Sequence, residues 1–173
     1  MTTLDEVLGA GFAMLLDDVV KPATTAPVRA ACAEQGYTRY GLLDRGSYEV
    51  IEWPPAPGLC DALADLAMQY TRRNDLAIVA ARMLRFVPGD YLLAHHDPIA
   101  EDRPVELVLD LSTAALPGAE VHYRRRGGVV FRMPVVPGSL AIVERGPTVT
   151  CNHGYVSKLN VGAEVVRLVL LLR

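Results

Sequence analysis

The feature that most constrains the fold of this chain is a series of short apolar segments that follows Asp75. Before Asp75 apolar residues recur at the 3.6-residue spacing of helices, whereas after it the period is 2 and turns rich in Pro, Gly or charge separate the segments. Many short strands with few helices between them predict a mainly β fold, here a jelly roll, also called a double-stranded β-helix. The predicted strands cover residues 78–86, 91–94, 105–111, 119–123, 129–133, 139–143 and 165–172.

The first part of the chain is predicted to form a helical buttress for this barrel. Apolar residues at helical spacing predict helices over residues 3–20, 27–34 and 59–73. The pair Lys21-Pro22 is expected to end the first helix, and broken alternation over residues 36–53 predicts one or two strands. Because no linker separates the two parts, we expect a single domain over residues 1–173, with residues 1–75 as helical support and residues 76–173 as the jelly-roll core.

Composition narrows the class of protein further. With 173 residues, of which 51% are hydrophobic and 21% charged, the chain has the composition of a globular protein. A net charge of −3 gives no reason to expect a nucleic-acid partner. The three Cys form no Cys-x-x-Cys pair, no signal peptide is visible, and no apolar run reaches the ~18 residues of a membrane span. These features predict a cytoplasmic protein without a membrane partner.

A candidate metal site begins with His95 and Asp97, which follow a Pro-Gly turn. In an extended chain residues two apart share a face, so this His-x-Asp pair places two potential ligands side by side. An imidazole beside a carboxylate suits a divalent first-row metal, and an iron site of this kind needs a second His. His153 is the candidate, because a jelly roll brings an early and a late strand together at its open end.

The His residues also have an ordinary structural interpretation. A lone His is usually a surface residue or a hydrogen-bonded core residue, and we prefer this interpretation for His96 and His122. Taken by themselves, His95 and Asp97 are as consistent with a structural role as with metal binding.

Arg167 interrupts the apolar run over residues 165–172 and, by alternation, faces the same side as Val169. A guanidinium that points into an apolar barrel is costly unless an anion meets it. Arg167 can pair with a buried carboxylate such as Glu106 or Asp110. Alternatively it awaits the carboxylate of a ligand, which its planar fork can bind through two hydrogen bonds.

Several short motifs occur in one order along the second half of the chain. They are Arg-Phe-x-Pro-Gly-x-x-Leu-x-x-His-x-Asp at residues 85–97, Leu-Asp-Leu-Ser at 109–112, Pro-Gly-Ala-Glu at 117–120, Pro-Gly-Ser-Leu-Ala-Ile-Val at 137–143 and Asn-His-Gly-Tyr-Val at 152–156. Together with the strand of Arg167, this series resembles the iron(II)/2-oxoglutarate-dependent dioxygenases, particularly their prolyl-4-hydroxylase-like branch. The resemblance extends from about Ile78 to the end of the chain.

The resemblance implies a specific site and chemistry. By it, His95, Asp97 and His153 hold Fe(II), and Arg167 binds the distal carboxylate of 2-oxoglutarate, with O2 as the other co-substrate. It further implies that a C–H bond is hydroxylated and that succinate and carbon dioxide are released. Because Asp97 is retained, the resemblance favours hydroxylation over halogenation, for which relatives usually lack this carboxylate.

Other interpretations stay open from the sequence. Leu92 stands where many relatives carry a Tyr, so a second contact to 2-oxoglutarate is not assigned, and Arg82 either faces the cavity or is simply exposed. From the short length of the chain we expect a small-molecule substrate, such as an amino acid or a biosynthetic intermediate, rather than a protein. A cupin-like metal-dependent oxygenase that does not use 2-oxoglutarate and a non-catalytic jelly-roll binding module are the alternatives.

Overall fold

The computed structural model describes residues 12–93, 104–146 and 148–173. The predicted ligands His95 and Asp97 lie outside the described residues. The helices are α1 (Pro22–Gln35) and α2 (Pro57–Thr71). The strands are β1 (Ala13–Leu16), β2 (Thr38–Leu42), β3 (Gly46–Glu52), β4 (Ile78–Phe86), β5 (Tyr91–Leu92), β6 (Val105–Asp110), β7 (Leu116–Arg125), β8 (Gly128–Val135), β9 (Leu140–Glu144), β10 (Val149–His153) and β11 (Val165–Leu172).

The strands form one antiparallel sheet that curls into a nearly closed barrel. Neighbouring strands follow the order β1-β9-β6-β11-β4-β3-β5-β10-β7-β8, with β2 beside β3. The early strands β4 and β5 therefore lie in the same sheet as the late strands β10 and β11, which is how a jelly roll brings the two ends of its sequence together. The predicted mainly β jelly roll is confirmed.

The central strands are buried on both faces of the sheet. All six residues of β6 are buried. On the outer face Leu107 and Leu168 belong to a core that also contains Leu63 of α2. On the inner face Val108 and Tyr123 pack in the interior of the barrel. Because side chains alternate along a strand, the polar residues that share the inner face of β6 and β11 point into the barrel.

Two strand predictions, residues 78–86 and 165–172, match β4 and β11 at both ends. Sequence reasoning missed β10, which pairs with β7 over its five residues and with β5 at His153. The reason is that β10 is short and carries polar residues at alternate positions, Thr150 and Asn152. Only Val149, Cys151 and His153 are on the face of the strand that points into the barrel.

The helix predicted over residues 3–20 is wrong for residues 13–16, which form β1, while residues 3–11 lie outside the described part of the chain. Strand β1 pairs with β9 along its whole length, with Ala13 opposite Val143 and Leu16 opposite Leu140. Without β1, strand β9 would be an edge with unpaired backbone groups. This pairing outweighs the local helical periodicity of the segment.

Helix α1 begins at Pro22, earlier than the predicted residue 27. A Pro is tolerated at the first helical position because the N–H it lacks has no partner there, so Pro22 starts this helix instead of ending the one before. Gly36 follows the last residue of α1, with φ of 86° and its N–H donated to the carbonyl of Cys32 at 3.0 Å. Neither described helix is long and apolar enough to cross a membrane.

The first 75 residues contribute strands as well as helices, and β2 and β3 lie within residues 36–53, where one or two strands were predicted. Strand β3 lies between β4 and β5 and is thus part of the barrel wall. Gly46 begins β3 opposite Leu92 of β5, and a Cβ at this position would collide with the carbonyl of Tyr91. The close approach that joins β3 to β5 therefore requires glycine here.

Candidate active site

A cavity opens in the interior of the barrel, between the inner faces of β3, β4, β6, β10 and β11. His153 lies in its wall, so the structure places one predicted ligand at a cavity. Arg82 also lines it, as one of the two interpretations of that residue expected, and forms an ion pair of 3.2 Å with Glu52 at the exposed rim. The remaining described lining residues are Tyr48, Val50, Leu84, Leu92, Glu106, Arg145, Cys151 and Val169.

His153 is held firmly at the end of β10. It is 5% exposed and is paired with Leu92 of β5 and Val121 of β7. Its ring stacks on Phe86 with 5.2 Å between ring centroids and 21° between planes. Its Nδ1 lies 3.0 Å from Nη1 of Arg167. A buried imidazole fixed on two sides is a suitable metal ligand, because little conformational freedom is left to lose on binding.

The convergence of all three predicted ligands stays a prediction, since two of them are outside the described residues. Leu92, three positions before His95, is directly opposite His153 in the sheet. Strand β5 therefore runs from the neighbourhood of His153 toward the His-x-Asp pair. Within the described ranges no group of three or more His, Cys, Asp or Glu residues is arranged to hold a metal ion.

Arg167 is fully buried in the barrel, as its position on β11 predicts. One guanidinium nitrogen, Nη2, donates to the carbonyl of Ala119, and Nη1 donates to His153. Among the described residues Nε has no hydrogen-bond partner. Burial lowers the pKa of Arg167 from its usual value, and the charge of Asp110 opposes this shift. The side chain is a charged group surrounded mainly by neutral partners.

Asp110 is the carboxylate that faces Arg167, directly opposite it across β6 and β11. Its Oδ1 accepts the N–H of Ser112 at 2.8 Å, whereas Oδ2 is buried and has no partner in the described part of the chain. No hydrogen bond or ion pair joins it to Arg167 within the described ranges. Burial raises the pKa of Asp110 above its usual value, although the charge of Arg167 and hydrogen bonds from Ser112 oppose the rise.

A second buried charge cluster was missed by sequence reasoning. Glu106 accepts hydrogen bonds from the hydroxyl of Tyr123 at 2.7 Å and from Nη1 of Arg145 at 2.8 Å. Glu106 is thus engaged with Arg145 and is not the partner of Arg167 that one interpretation allowed. The available signal was a charged residue inside the apolar strand β6, Glu106, and another directly after β9, Arg145. Alternation alone does not show that these two residues are paired.

Cys151 lies beside this cluster and lines the cavity. Burial raises the pKa of its thiol well above the ordinary value, and the nearby charge of Glu106 adds to the rise. A thiol in such surroundings stays protonated and is a poor nucleophile and metal ligand. Cys151 therefore acts as a small apolar residue in the wall.

The turn that leads into β5 is fixed by Asp90, which is 1% exposed. Arg39 donates both Nη groups to its carboxylate, at 2.7 Å and 2.5 Å. Ser47 donates its hydroxyl and Val87 its N–H to the same group. Gly89, with φ of 101°, adopts a conformation in this turn that suits glycine. The turn between β4 and β5 is thus fixed by a tightly bound carboxylate.

The barrel is shared with solved oxygenase structures. A prolyl-4-hydroxylase from Pseudomonas putida matches with a TM-score of 0.71 at 17% identity, covering 99% of this chain and 98% of that one. The collagen prolyl hydroxylase of Paramecium bursaria Chlorella virus-1, solved with 2-oxoglutarate, matches with a TM-score of 0.69 at 12% identity, covering 96% and 98%. This chain has the fold of the 2OG-Fe(II) oxygenases.

Members of this fold catalyse more than one kind of reaction. SnoN, an alpha-ketoglutarate-dependent epimerase from nogalamycin biosynthesis, matches the chain with a TM-score of 0.64 at 13% identity, covering 98% of this chain and 80% of that one. No family model of protein sequences matches the chain, and no curated protein sequence matches it. The resemblance inferred from the motifs is therefore confirmed at the level of the 2OG-Fe(II) oxygenase fold.

Proposed function

We propose that this protein is an iron(II)- and 2-oxoglutarate-dependent oxygenase that hydroxylates a C–H bond of a small molecule. One observation carries the proposal. Inside the barrel, Nη1 of the fully buried Arg167 lies 3.0 Å from Nδ1 of the buried His153. No carboxylate among the described residues is hydrogen-bonded to this guanidinium. An arginine in this position suits an acidic ligand bound beside a metal.

The metal would be held by His153 together with His95 and Asp97. An imidazole and a carboxylate from one strand, with a second imidazole from another, are the donor set that suits non-haem iron(II) and leaves coordination positions open. When bound, iron and 2-oxoglutarate together supply the oxidising power for attack on an unactivated C–H bond. The protein contributes a fixed His153 ring and an apolar interior that keeps water away from the reacting groups.

Arg167 would bind the distal carboxylate of 2-oxoglutarate. Its Nε lacks a partner among the described residues, and its remaining hydrogen bonds go to one neutral carbonyl and one imidazole. A bidentate carboxylate would replace these neutral partners by a charge-assisted pair, which is the stronger interaction. The absence of a hydrogen bond to Asp110 in the described structure leaves the guanidinium available for such a ligand.

The small-molecule substrate is supported by the cavity itself. Its described wall combines apolar side chains with charged groups that are neutralised in pairs, Arg82 with Glu52 and Arg145 with Glu106. A wall of this kind suits a compact substrate that carries both apolar and polar atoms. SnoN shows that small-molecule chemistry occurs on this barrel, whereas the viral enzyme is a collagen hydroxylase.

The proposal is tested by binding in the absence of oxygen. Addition of Fe(II) and then 2-oxoglutarate to the purified protein is expected to produce the weak visible absorption of a metal-chelated 2-oxo acid. Glutarate, which lacks the 2-oxo group, is the matched control and should give no band. If iron binds and the band never forms, the proposal fails. Release of succinate with pools of small molecules or peptides would then identify the substrate class.

A second candidate is a metal-dependent oxygenase that does not use 2-oxoglutarate. It is favoured by the position of Arg167, whose Nη groups are turned toward His153 and Ala119 and which is not among the described residues that line the cavity. Iron binding without the chelate band is the result expected from this candidate. Failure to bind iron at all would favour a barrel with a binding role only.

A further inference from the structure

The hydrogen bond between Arg167 and His153 has a consequence for metal binding. A guanidinium carries five N–H donors and no acceptor, so Nη1 can only donate and Nδ1 of His153 can only accept. A neutral imidazole has one N–H. When Nδ1 accepts a hydrogen bond, that proton is on Nε2, and Nε2 then has no lone pair to offer.

Ligation of a metal ion by His153 and this hydrogen bond therefore exclude each other. If Nε2 binds the metal, the ring proton moves to Nδ1, where it would face an N–H of Arg167 at the present distance of 3.0 Å. If Nδ1 binds the metal, the ion takes the position of Nη1. Ligating His residues normally donate their second nitrogen to an acceptor, which a guanidinium is not.

The surroundings limit how the conflict can be resolved. Phe86 stacks on His153 with 5.2 Å between ring centroids, and its ring centroid lies 5.8 Å from Cζ of Arg167. The His153 ring is held between strands and against this aromatic face, so the mobile partner is the longer side chain of Arg167.

We infer that the Arg167–His153 hydrogen bond is a latch, by which we mean a contact that keeps Arg167 on His153 until metal binding breaks it. Ligation of His153 ends the hydrogen bond and releases Nη1 of Arg167, which becomes available to an anionic ligand. Linkage makes the effect reciprocal, so an anion that draws Arg167 away from His153 increases metal affinity by the same factor. The inference rests on the proposed function for the metal ligand His153, and it adds that the metal prepares the anion site.

The direct test is the proton position on His153, read by long-range 1H–15N spectroscopy of the full chain labelled with 15N-histidine, at one fixed pH. His153 is assigned from the signal lost in His153→Gln. Before metal addition we expect the proton on Nε2 and Nδ1 as acceptor. With Zn(II), used as a diamagnetic probe, we expect the proton on Nδ1 and zinc on Nε2.

Two results would overturn the inference. If His153 carries its proton on Nδ1 before zinc is added, the hydrogen bond from Arg167 to Nδ1 does not exist and the inference fails. The proposed function would still stand if zinc then binds the same ring. A ring that zinc never reaches would overturn the latch and the proposed metal site together. The spectra need no variant of Arg167, so they decide even if such variants fail to fold.

A second measurement compares zinc affinities by calorimetry. Arg167→Met removes the latch and should raise zinc affinity on the order of tenfold, the equivalent of one charge-assisted hydrogen bond. Arg82→Met is the matched control, because it removes a guanidinium from the cavity wall that is bonded to Glu52 instead. An equal gain in zinc affinity in both variants would show that the gain comes from the loss of a positive charge, and would contradict the latch.

Discussion

Two arginines inside this barrel differ in how their charge is compensated. Arg145 is 4% exposed and donates to Glu106 at 2.8 Å, and Glu106 is in turn bonded to Tyr123. Arg167 is fully buried and is hydrogen-bonded to a carbonyl and an imidazole, with Asp110 opposite but not bonded to it in the described structure. The two environments differ in that the guanidinium of Arg145 is paired with a carboxylate of the fold, whereas that of Arg167 has neutral hydrogen-bond partners, which is why we propose a ligand for Arg167 and not for Arg145.

The largest effect is expected when the compensated cluster is broken. Glu106→Ala leaves Arg145 buried without this carboxylate and should lower the free energy of unfolding by about 3 kcal/mol. Urea denaturation followed by circular dichroism measures it. Glu52→Ala, which breaks the exposed pair with Arg82, is the control and should cost less than about 1 kcal/mol. Similar costs in the two variants would contradict the structural role of the Glu106 cluster.

The next effect concerns Arg167, for which we propose a role in binding 2-oxoglutarate. Arg167→Ala should weaken 2-oxoglutarate binding by about 100-fold, because a buried charge pair with the ligand carboxylate is lost. Titration of the visible band gives the affinity for 2-oxoglutarate, and Fe(II) affinity should not fall in parallel. Loss of both affinities together with unfolding would show instead that Arg167 is a structural residue like Arg145.

A smaller effect is expected at Asp90, a buried carboxylate whose partners are complete. Asp90→Asn removes the charge that receives both Nη groups of Arg39 and should cost about 2 kcal/mol of stability. Burial alone would raise the pKa of Asp90, but hydrogen bonds from Arg39, Val87 and Ser47 hold it below its usual value. The carboxylate therefore stabilises the fold above its unfolded pKa, and this contribution is lost as the pH falls through the folded pKa.

Stability measured against pH checks the Asp90 prediction. The wild type should lose stability on the acid side more steeply than Asp90→Asn does. Parallel curves for the two proteins would show that Asp90 ionises alike in both states and does not fix the turn.

The smallest effect is expected at Asp110, whose contribution to stability should change with pH in the direction opposite to that of Asp90. Its pKa is raised, first by burial, so in the folded state it keeps its proton to higher pH than in the unfolded chain. Stability should therefore fall as the pH rises from the unfolded pKa to the folded one, and Asp110→Asn should abolish this fall. Differential scanning calorimetry across this range measures the slope. An unchanged slope in the variant would show that the pKa of Asp110 is the same in the folded and the unfolded state.

Much of the barrel could be predicted because its main strands are long, apolar and bounded by clear turn residues. Strands β4 and β11 follow from this pattern alone. Strand β1 could not be predicted in this way, because its short apolar segment fits a helix locally and becomes a strand only through pairing with β9. Strand β10 was missed because alternate polar residues interrupt a segment of only five residues.

The candidate site shows the same division between local and long-range information. Alternation predicted that Arg167 lies inside the barrel, and the structure confirms its burial there. The order of motifs predicted that His153 is a metal ligand; the structure places His153 in the wall of a cavity, and its role as a ligand stays a prediction. The sequence named both Glu106 and Asp110 as partners for Arg167, since alternation gives the face of a residue but not its neighbour. The register of β6 and β11 shows which carboxylate lies nearer to Arg167. Asp110 is directly opposite Arg167, whereas Glu106 is opposite Leu171 and binds Arg145.

The pairing of β1 with β9 has a kinetic consequence for synthesis of the chain. Val143 leaves the ribosome long after its partner Ala13, because the residues of β2 to β8 are translated between them. Until then the apolar segment Ala13–Leu16 lacks its partner β9, whereas the β7–β8 hairpin can form from neighbouring residues at once. Docking of β1 is therefore expected late in folding, and the nascent β1 segment gives a chaperone a long time to bind.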